Sequence, residues 1–282
     1  MKKGIAAALL VFALAAGCAD RKTVRPTDTV AEADTTETTD TTATDVDESE
    51  QIISAEPMSA AVDELFDDFF FNFAANRRLQ LERIDFPLLI NSGDKQEYIE
   101  RKAWKHEHFF MRQDYYTLIF DSAEQMELLK DTALNEVIVE KIFLEEHFVR
   151  QYLFHRNKGQ WRLDEIRNQT LPRNPNAPFL SFYEQFVSDS AFQVRSLAEQ
   201  IEFVGPDPDD DFSQMEGVIT PDFWDAFRPE LPTGMIYNIV YGHQNPAATE
   251  KIFVIRGIAN GLEVELTFTL NHGHWLLKKM IT

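Results

Sequence analysis

Two pairs of histidines have the spacing of possible metal ligands. His272 and His274 are separated by one glycine, and His106 and His108 are separated by one glutamate. Imidazoles bind zinc, but structural zinc sites take four protein ligands and catalytic sites take three. Neither pair has a third ligand nearby in the sequence, and His272 lies in a predicted turn. We therefore expect structural or turn histidines and no metal site.

The densest acidic segment of the C-terminal half is GPDPDDDFSQME, from Gly205 to Glu216. A calcium loop needs staggered oxygen ligands, a glycine at its sharp turn and a closing glutamate. Phe212 stands at the glycine position, and Val218 stands at the closing position. The two prolines of the segment favour an extended, solvated loop. We expect this loop to be an insertion with no counterpart in the N-terminal half.

Ser92 and Lys95 form a Ser-x-x-Lys motif, which carries the nucleophile of penicillin-recognising enzymes. The two partner motifs of those enzymes are absent, and Ser92-Gly93-Asp94 has the composition of a turn. The sequence also has no Gly-x-Ser-x-Gly, no phosphate-binding loop and no dinucleotide fingerprint. No catalytic residue is predicted.

The composition restricts the class of protein. The chain has 282 residues, 44% of them hydrophobic, with 23 Phe and a net charge of −20. Such a chain can bury a large aromatic core. Its acidity disfavours nucleic-acid binding, which requires a basic surface. Its single cysteine, Cys18, excludes internal disulfides, and we do not expect thiol catalysis.

The N-terminus has the features of an export signal. Lys2 and Lys3 precede a short apolar run, Ile5–Ala16, which ends in LAAGC. This ending resembles the lipobox of bacterial lipoproteins, although Ala replaces Leu three residues before the cysteine. The resemblance implies that residues 1–18 include a signal peptide and that Cys18 is lipidated, with the protein anchored in the cell envelope at the outer membrane. The alternative is an ordinary secretory signal with an incidental cysteine.

Residues 19–56 are rich in Thr, Asp, Glu and Ala and contain no aromatic residue. Such a segment cannot bury enough apolar area to offset the entropy of ordering it, so we predict a disordered tether. Thr29, Thr35 and Thr41 each follow an aspartate, in triplets that resemble the O-glycosylation sequon of Bacteroidetes. An unmodified spacer is the alternative.

A repeated spacing divides the remaining residues into two similar parts. Val62, Leu65, Phe66, Phe69 and Phe73 define one face of a helix, with Ser59 as its expected N-cap. Three phenylalanines recur 113 residues later as Phe179, Phe182 and Phe186, and Gln80 recurs as Gln193. Trp104 and Ile119 keep their 15-residue spacing as Trp224 and Ile239.

A second phrase repeats at a spacing of 114 residues. NKGQWRLDEI begins at Asn157 and NHGHWLLKKM begins at Asn271, so that Lys158 and Gln160 match His272 and His274. Alternating apolar residues around each phrase predict a three-stranded meander, at about 136–145, 147–156 and 160–168 in the first copy. The phrase itself is a hairpin turn. Trp161 and Trp275, just after it, are predicted to pack on the helix of their own copy.

Each part therefore combines a long helix with a meander, which defines an α+β fold of tandem copies, 57–172 and 173–282, each a helix on a curved antiparallel sheet. This plan resembles the nuclear transport factor 2-like (NTF2-like) and cystatin-like cone. The phrases FDDFFFNFAANRRLQLERIDFPL and FHRNKGQWRLDEI are also similar to a Bacteroidetes lipoprotein family known as domain of unknown function 4348. That family implies a fold but no catalytic residue or cofactor. We expect the copies to pack together across the proline-rich connector 168–178, and independent domains are the alternative.

The function that follows is a lipid-anchored, non-catalytic binding or interaction module with an unidentified small-molecule or protein ligand. An enzyme that uses a cone pocket is one alternative, since related enzymes employ a buried carboxylate or histidine as a general base. His147, His155, Asp164 and Glu165 are the candidates for that role, although each is expected to face solvent. A purely structural envelope lipoprotein is the other alternative.

Overall fold

The computed structural model describes residues 63–207 and 210–282. Cys18, the tether with Thr29, Thr35 and Thr41, and the expected cap Ser59 lie outside these ranges. No helix among the described residues is both long and apolar enough to cross a membrane. We call residues 63–172 the first half and residues 173–282 the second half.

Each half begins with a pair of helices separated by one extended residue. The helices are α1 (Phe66–Ala75), α2 (Arg77–Arg83), α3 (Ala123–Met126), α4 (Ala177–Ser188), α5 (Ser190–Arg195) and α6 (Trp224–Phe227). The breaks fall at Asn76 and Asp189, whose side chains accept hydrogen bonds from the first backbone N–H groups of α2 and α5. Such N-caps start a new helix. The single long helix expected in each half is therefore two shorter ones. The first begins at Phe66 with Leu65 at its N-cap position, so the expectation that Ser59 caps this helix is wrong.

Within residues 63–207 and 210–282, twelve strands form one sheet. They are β1 (Ile84–Ser92), β2 (Lys95–Ile99), β3 (Tyr115–Phe120), β4 (Glu136–Phe143), β5 (Phe148–Asn157), β6 (Gln160–Thr170), β7 (Leu197–Asp207), β8 (Asp210–Ile219), β9 (Met235–Tyr241), β10 (Glu250–Gly257), β11 (Glu263–Asn271) and β12 (His274–Ile281). The meander of the first half, β4–β5–β6, has the predicted order and nearly the predicted bounds.

The sheet is mixed, so the expectation of an antiparallel sheet is wrong. Its strand order is β2-β1-β6-β5-β4-β9-β3-β10-β11-β12-β7-β8. The pairs β1–β6, β7–β12 and β3–β9 are parallel. In each of the first two pairs, the strand that follows the helix pair lies beside the last strand of the meander of the same half. More than 60 residues separate the two members of each pair along the chain, which is long enough for the crossover that parallel pairing needs.

The two halves exchange a strand at the centre of the sheet. β9 of the second half pairs with β4, and β3 of the first half pairs with β10. Each exchanged strand therefore completes the meander of the other half, and the two exchanged strands lie side by side. The two halves thus pack together within one continuous sheet.

The central strands separate two aromatic cores. Leu118 and Phe120 face the core under α1, whereas Ile119 between them faces the core under α4. On β10, Val254 faces the core under α1 and Phe253 faces the core under α4. Successive side chains of a strand point to opposite faces, so α1 and α4 cover opposite faces of the sheet. This double burial explains why β3 and β9, and the middle of β10 from Ile252 to Ile255, are almost wholly apolar.

The repeated phrase forms the predicted hairpin turns. Lys158 and Gly159 have φ of 50° and 80°, and His272 and Gly273 have 49° and 82°. Positive φ at both central residues defines a type I′ turn, whose twist suits a two-residue hairpin.

The tryptophan after each turn packs as predicted. The Trp161 ring lies 5.0 Å from the Phe66 ring of α1, and the Trp275 ring lies 5.5 Å from the Phe179 ring of α4, between centroids. Both contacts are edge-to-face, a favourable geometry for aromatic pairs.

The acidic segment Gly205–Glu216 is not the loop that its prolines suggested. Its described residues, 205–207 and 210–216, lie in β7 and β8, which pair from Ile201 and Ile219 to Asp207 and Asp210. Pro206 is accommodated because β12 ends beside Val204, so that β7 has only β8 as a neighbour beyond that point. The shorter β1–β2 hairpin holds the corresponding place at the other edge of the sheet.

Candidate ligand-binding groove

In each half, a buried glutamine joins the two helices through its side-chain hydrogen bonds, an arrangement that we call the lock. The Gln80 side chain donates to a carbonyl of α1 at 3.0 Å and accepts from Trp104 Nε1 at 3.0 Å. Gln193 donates to a carbonyl of α4 at 2.9 Å and accepts from Trp224 Nε1 at 3.0 Å. Both glutamines are buried. Because a buried amide must find partners, each lock sets the angle between its two helices.

In the first half, an ion pair fills the end of the space between the helices and the sheet. Arg83 Nη1 and Nη2 each lie 2.8 Å from a carboxylate oxygen of Asp63. Arg83 also donates to the Trp161 carbonyl at 3.3 Å, and its guanidinium lies 5.7 Å from the centre of the Phe69 ring. The ion pair is buried and bidentate, the strongest geometry for such a contact.

In the second half, the matched position is Ser196. The match follows from the 113-residue offset and from the sheet, since Ile84 pairs with Leu163 just as Leu197 pairs with Leu277. A serine is too short to reach the matched phenylalanine, Phe182. We call the Arg83–Asp63 ion pair the plug, because it closes the end of the first half. The second half has no such ion pair at the matched place.

The residue that matches Asp63 in the second half also has a different hydrogen-bond partner. Asn176 stands at the matched position, and its side-chain oxygen accepts from Lys251 Nζ at 2.5 Å. Lys251 in turn donates to Asp121 of the first half. Asn176 therefore fastens the connector to the sheet and does not cover the end of the helix pair.

A groove of about 690 Å³ opens at this place. Its walls come from α4, from α5 with Ser196, and from the β11–β12 hairpin. The rings of Phe182, Phe192 and Trp275 form its apolar part, with Phe182 centred 5.8 Å from Phe192 and 6.4 Å from Trp275. The volume is in the usual range for a small-molecule site, and mostly apolar walls with a few polar groups are typical of one.

Two basic side chains, Arg195 and His274, lie on the rim of the groove, and no carboxylate is among the described residues that line it. Both are exposed. Sequence reasoning placed His274 in a turn but did not connect it with a pocket, because the other wall comes from helices about 80 residues earlier.

A second, smaller pocket of about 340 Å³ lies beside the Gln193 lock. Arg228 and Asp225 line it and form an exposed ion pair at 3.4 Å. Glu230 lines it as well, so this pocket has two carboxylates and one guanidinium, whereas the groove has no carboxylate among its described lining residues.

The two rings of the other histidine pair lie close together. The imidazole centroids of His106 and His108 lie 4.1 Å apart, and His106 Nε2 lies 3.0 Å from the Ala74 carbonyl oxygen. No cluster of three or more metal-ligating side chains occurs within residues 63–207 and 210–282. Ser92 and Lys95, as expected, flank the turn between β1 and β2.

The four meander residues considered as a general base do not line the groove. His155 Nδ1 lies 2.7 Å from Asp164 Oδ2, His147 Nε2 lies 3.0 Å from Glu184, and Glu165 pairs with Arg167 at 3.1 Å. Partial burial raises the pKa of the Asp164 carboxyl, and the neighbouring imidazole opposes that rise. All four side chains are at least partly exposed.

Sequence reasoning missed a buried carboxylate at the centre of the sheet. Glu140 accepts hydrogen bonds from Gln151 at 2.8 Å, Asn174 at 2.6 Å and Asn238 at 3.0 Å. Burial raises the pKa of the Glu140 carboxyl, and the three amide donors act in the opposite direction. Three donors on one buried carboxylate favour a structural role for this residue.

A second missed carboxylate, Asp67, faces the first core from α1. The Tyr241 hydroxyl donates to it, and Arg256 Nη1 lies 3.8 Å from its other oxygen. Burial raises the pKa of Asp67. Burial and this carboxylate also raise the pKa of the Tyr116 hydroxyl to about 12. Asp67 thus links the first helix to an exchanged strand and to β10.

The helix pairs, the three-stranded meanders and the mixed sheet together define an α+β protein of the NTF2-like class. The structure is similar to that of an NTF2-like protein from Bacteroides fragilis NCTC 9343, with 42% sequence identity and a TM-score of 0.73. The match covers 80% of this chain and 98% of that one. Residues 45–282 match the model of the domain of unknown function DUF4348. The chain belongs to this family. A comparison with curated proteins gives no match.

Proposed function

We propose that the protein is a non-catalytic binding module whose ligand occupies the groove of the second half. One observation carries the proposal: the space that Arg83 and Asp63 fill in the first half is open in the second, because Ser196 stands where the arginine would be. The two halves are, in this view, tandem copies of one NTF2-like module. The first has become a closed scaffold, and the second is the one that binds.

The proposed location is the cell envelope. The LAAGC sequence supports lipid attachment at Cys18, with residues 19–56 as a tether between the outer membrane and the folded region. A groove held away from the membrane surface on such a tether remains accessible to a ligand in the surrounding compartment.

The test uses a neutral dye and a variant that rebuilds the plug. N-phenyl-1-naphthylamine fluoresces when it leaves water for an apolar site. In Ser196→Arg, the new guanidinium can lie over Phe182 as Arg83 lies over Phe69. We expect the wild type to bind the dye and this variant to bind it at least about tenfold more weakly. Ser196→Arg with Asn176→Asp restores both members of the plug.

The matched control is Ser188→Arg, which adds the same charge to an exposed position at the end of α4, outside the groove. It should bind the dye as the wild type does. Circular dichroism and thermal unfolding establish that each variant is folded. If the dye does not bind, or binds equally to Ser196→Arg and wild type, the groove is not the binding site.

A further inference from the structure

We propose that the groove selects an anionic amphiphile, a small molecule with one anionic head group on an aromatic or aliphatic body. This inference rests on the proposed function and specifies its ligand. Phe182, Phe192 and Trp275 take the apolar body, and Arg195 and His274 bind the head group.

The charge at the rim has been inverted relative to the first half. Arg195 is matched by Glu82 at the 113-residue offset, and Glu82 forms an exposed ion pair with Arg78 at 3.0 Å. Among the described residues, Arg195 has no ion-pair partner. The change from Glu82 to Arg195 therefore replaces a neutralised carboxylate with an available guanidinium. Guanidinium groups bind carboxylates and phosphates through two parallel hydrogen bonds.

A second matched position also gains a basic group relative to the first half. His274 corresponds to Gln160, so a neutral amide at the closed end of the first half becomes an imidazole on the rim of the groove. Ser196 in place of Arg83 opens the space, while Arg195 and His274 add basic groups beside it. In a chain with a net charge of −20, a rim with two basic groups and no carboxylate among its described residues is a local exception. It would attract an anion and repel a cation.

The apolar walls determine the chemistry of the ligand outside its head group. Leu270 and Trp275 face the aromatic side chains of α4 and α5 across the groove, and Gln185 and Ser181 are polar groups on its α4 side. Burial of an aromatic or aliphatic body against these walls supplies affinity through the hydrophobic effect. The basic rim determines which head group is preferred. Both features together disfavour a bare inorganic anion.

The experiment compares three compounds with the same body and different head groups. These compounds are 4-phenylbutyrate, 4-phenylbutanol and 4-phenylbutylamine. Each is tested for displacement of N-phenyl-1-naphthylamine from the full chain, and its affinity is then measured by isothermal titration calorimetry. We expect the carboxylate to bind about tenfold more tightly than the alcohol, and the amine to bind most weakly. The preference for the carboxylate should shrink as salt is added, because exposed charges are screened.

Two variants assign the preference to the rim. Arg195→Met should lower the affinity for 4-phenylbutyrate about tenfold and leave the affinity for 4-phenylbutanol nearly unchanged. Arg77→Met, at an exposed arginine on α2 of the first half, removes the same charge far from the groove lining and should change neither affinity.

The outcomes separate this inference from the proposed function. If all three compounds bind equally, or if Arg195→Met weakens the alcohol as much as the carboxylate, the selection of an anion is wrong while binding in the groove stands. Tightest binding of the amine also overturns it. If neither the dye nor any of the three compounds binds, both proposals fail.

Discussion

Glu140 on β4 and Asn238 on β9 are partners across the junction between the two halves. Asn238 Nδ2 donates to Glu140 Oε2 at 3.0 Å, and the two residues are directly paired in the sheet. Thr117 on β3 is the next residue in the same row, and its hydroxyl donates to the Tyr237 carbonyl at 3.0 Å. The exchanged strands are thus held in register by a short polar row inside an otherwise apolar sheet.

Removal of the Glu140 carboxylate should destabilise the whole fold. Glu140→Ala leaves three buried amide donors without their acceptor, and we expect the free energy of unfolding to fall by about 3–5 kcal/mol. Urea denaturation measures this. Glu136→Ala, at an exposed glutamate on the same strand, should cost less than about 1 kcal/mol. Equal effects of the two substitutions would mean that the polar row is not important for stability.

The same residue should make stability depend on pH. Burial raises the pKa of Glu140 above its ordinary value of 4.5, so the native state holds this proton at a pH where the unfolded chain has lost it. The free energy of unfolding should therefore decrease as pH rises from about 4.5 through the raised pKa of the folded state. Glu140→Gln should show a smaller decrease over that window in unfolding experiments. An identical pH dependence in the variant contradicts the assignment.

The two repeated tryptophans should differ in their contribution to stability. Trp161 is 1% exposed and is enclosed by the plugged first half, so Trp161→Ala should cost about 3–5 kcal/mol. Trp275 packs on Phe179 but also lines the groove, so Trp275→Ala should cost less and should weaken dye binding. Thermal unfolding of the single variants and dye titration test this. If Trp275→Ala costs as much as Trp161→Ala and leaves dye binding intact, the difference between the halves is wrong.

The two halves should not fold separately. A fragment of residues 57–172 leaves β4 without β9, and a fragment of residues 175–282 leaves β10 without β3. We expect each fragment alone to be insoluble or to lack a cooperative unfolding transition. Co-expression should restore a soluble complex with the spectrum of the intact chain. Two fragments that are each monomeric and as stable as the intact protein would show that the exchange is dispensable.

The proposed lipid attachment at Cys18 predicts a simple change in location. Cys18→Ser should abolish the incorporation of labelled palmitate and move the protein from the membrane fraction to the soluble fraction. Since the chain has no other cysteine, the substitution removes every thiol at once. Continued membrane association of the variant, without the label, would point to a different anchor.

Local patterns predicted the local structure well. The phenylalanine spacings gave α1 and α4, and the repeated Asn-x-Gly-x-Trp phrase gave two type I′ turns with a buried tryptophan after each. The break between α1 and α2 was missed because the prediction followed the spacing of the phenylalanines and did not consider Asn76 as an N-cap, although its side chain caps the following helix. The NTF2-like fold and the DUF4348 family were also predicted from these phrases and are confirmed.

Long-range features were not predicted, for identifiable reasons. Exchange of β3 and β9 leaves every local pattern unchanged, since each strand takes the place that its counterpart would hold. Glu140 alternates with Val137 and Val139 as a solvent-facing residue would, and it is buried only because the second core covers its face. The groove depends on two differences between the halves, Ser196 for Arg83 and Asn176 for Asp63. Their effect can be seen only when the side chains are placed under their helices.

The strand exchange also sets the order in which the chain can fold as it is made. β4 has no neighbour on one side until Met235–Tyr241 has been synthesised, about 90 residues after β4 itself. An unpaired strand edge invites contact with other chains. Until β9 has been made, the N-terminal part cannot close its sheet on that side. The last stage of folding is therefore postponed until most of the polypeptide has been synthesised.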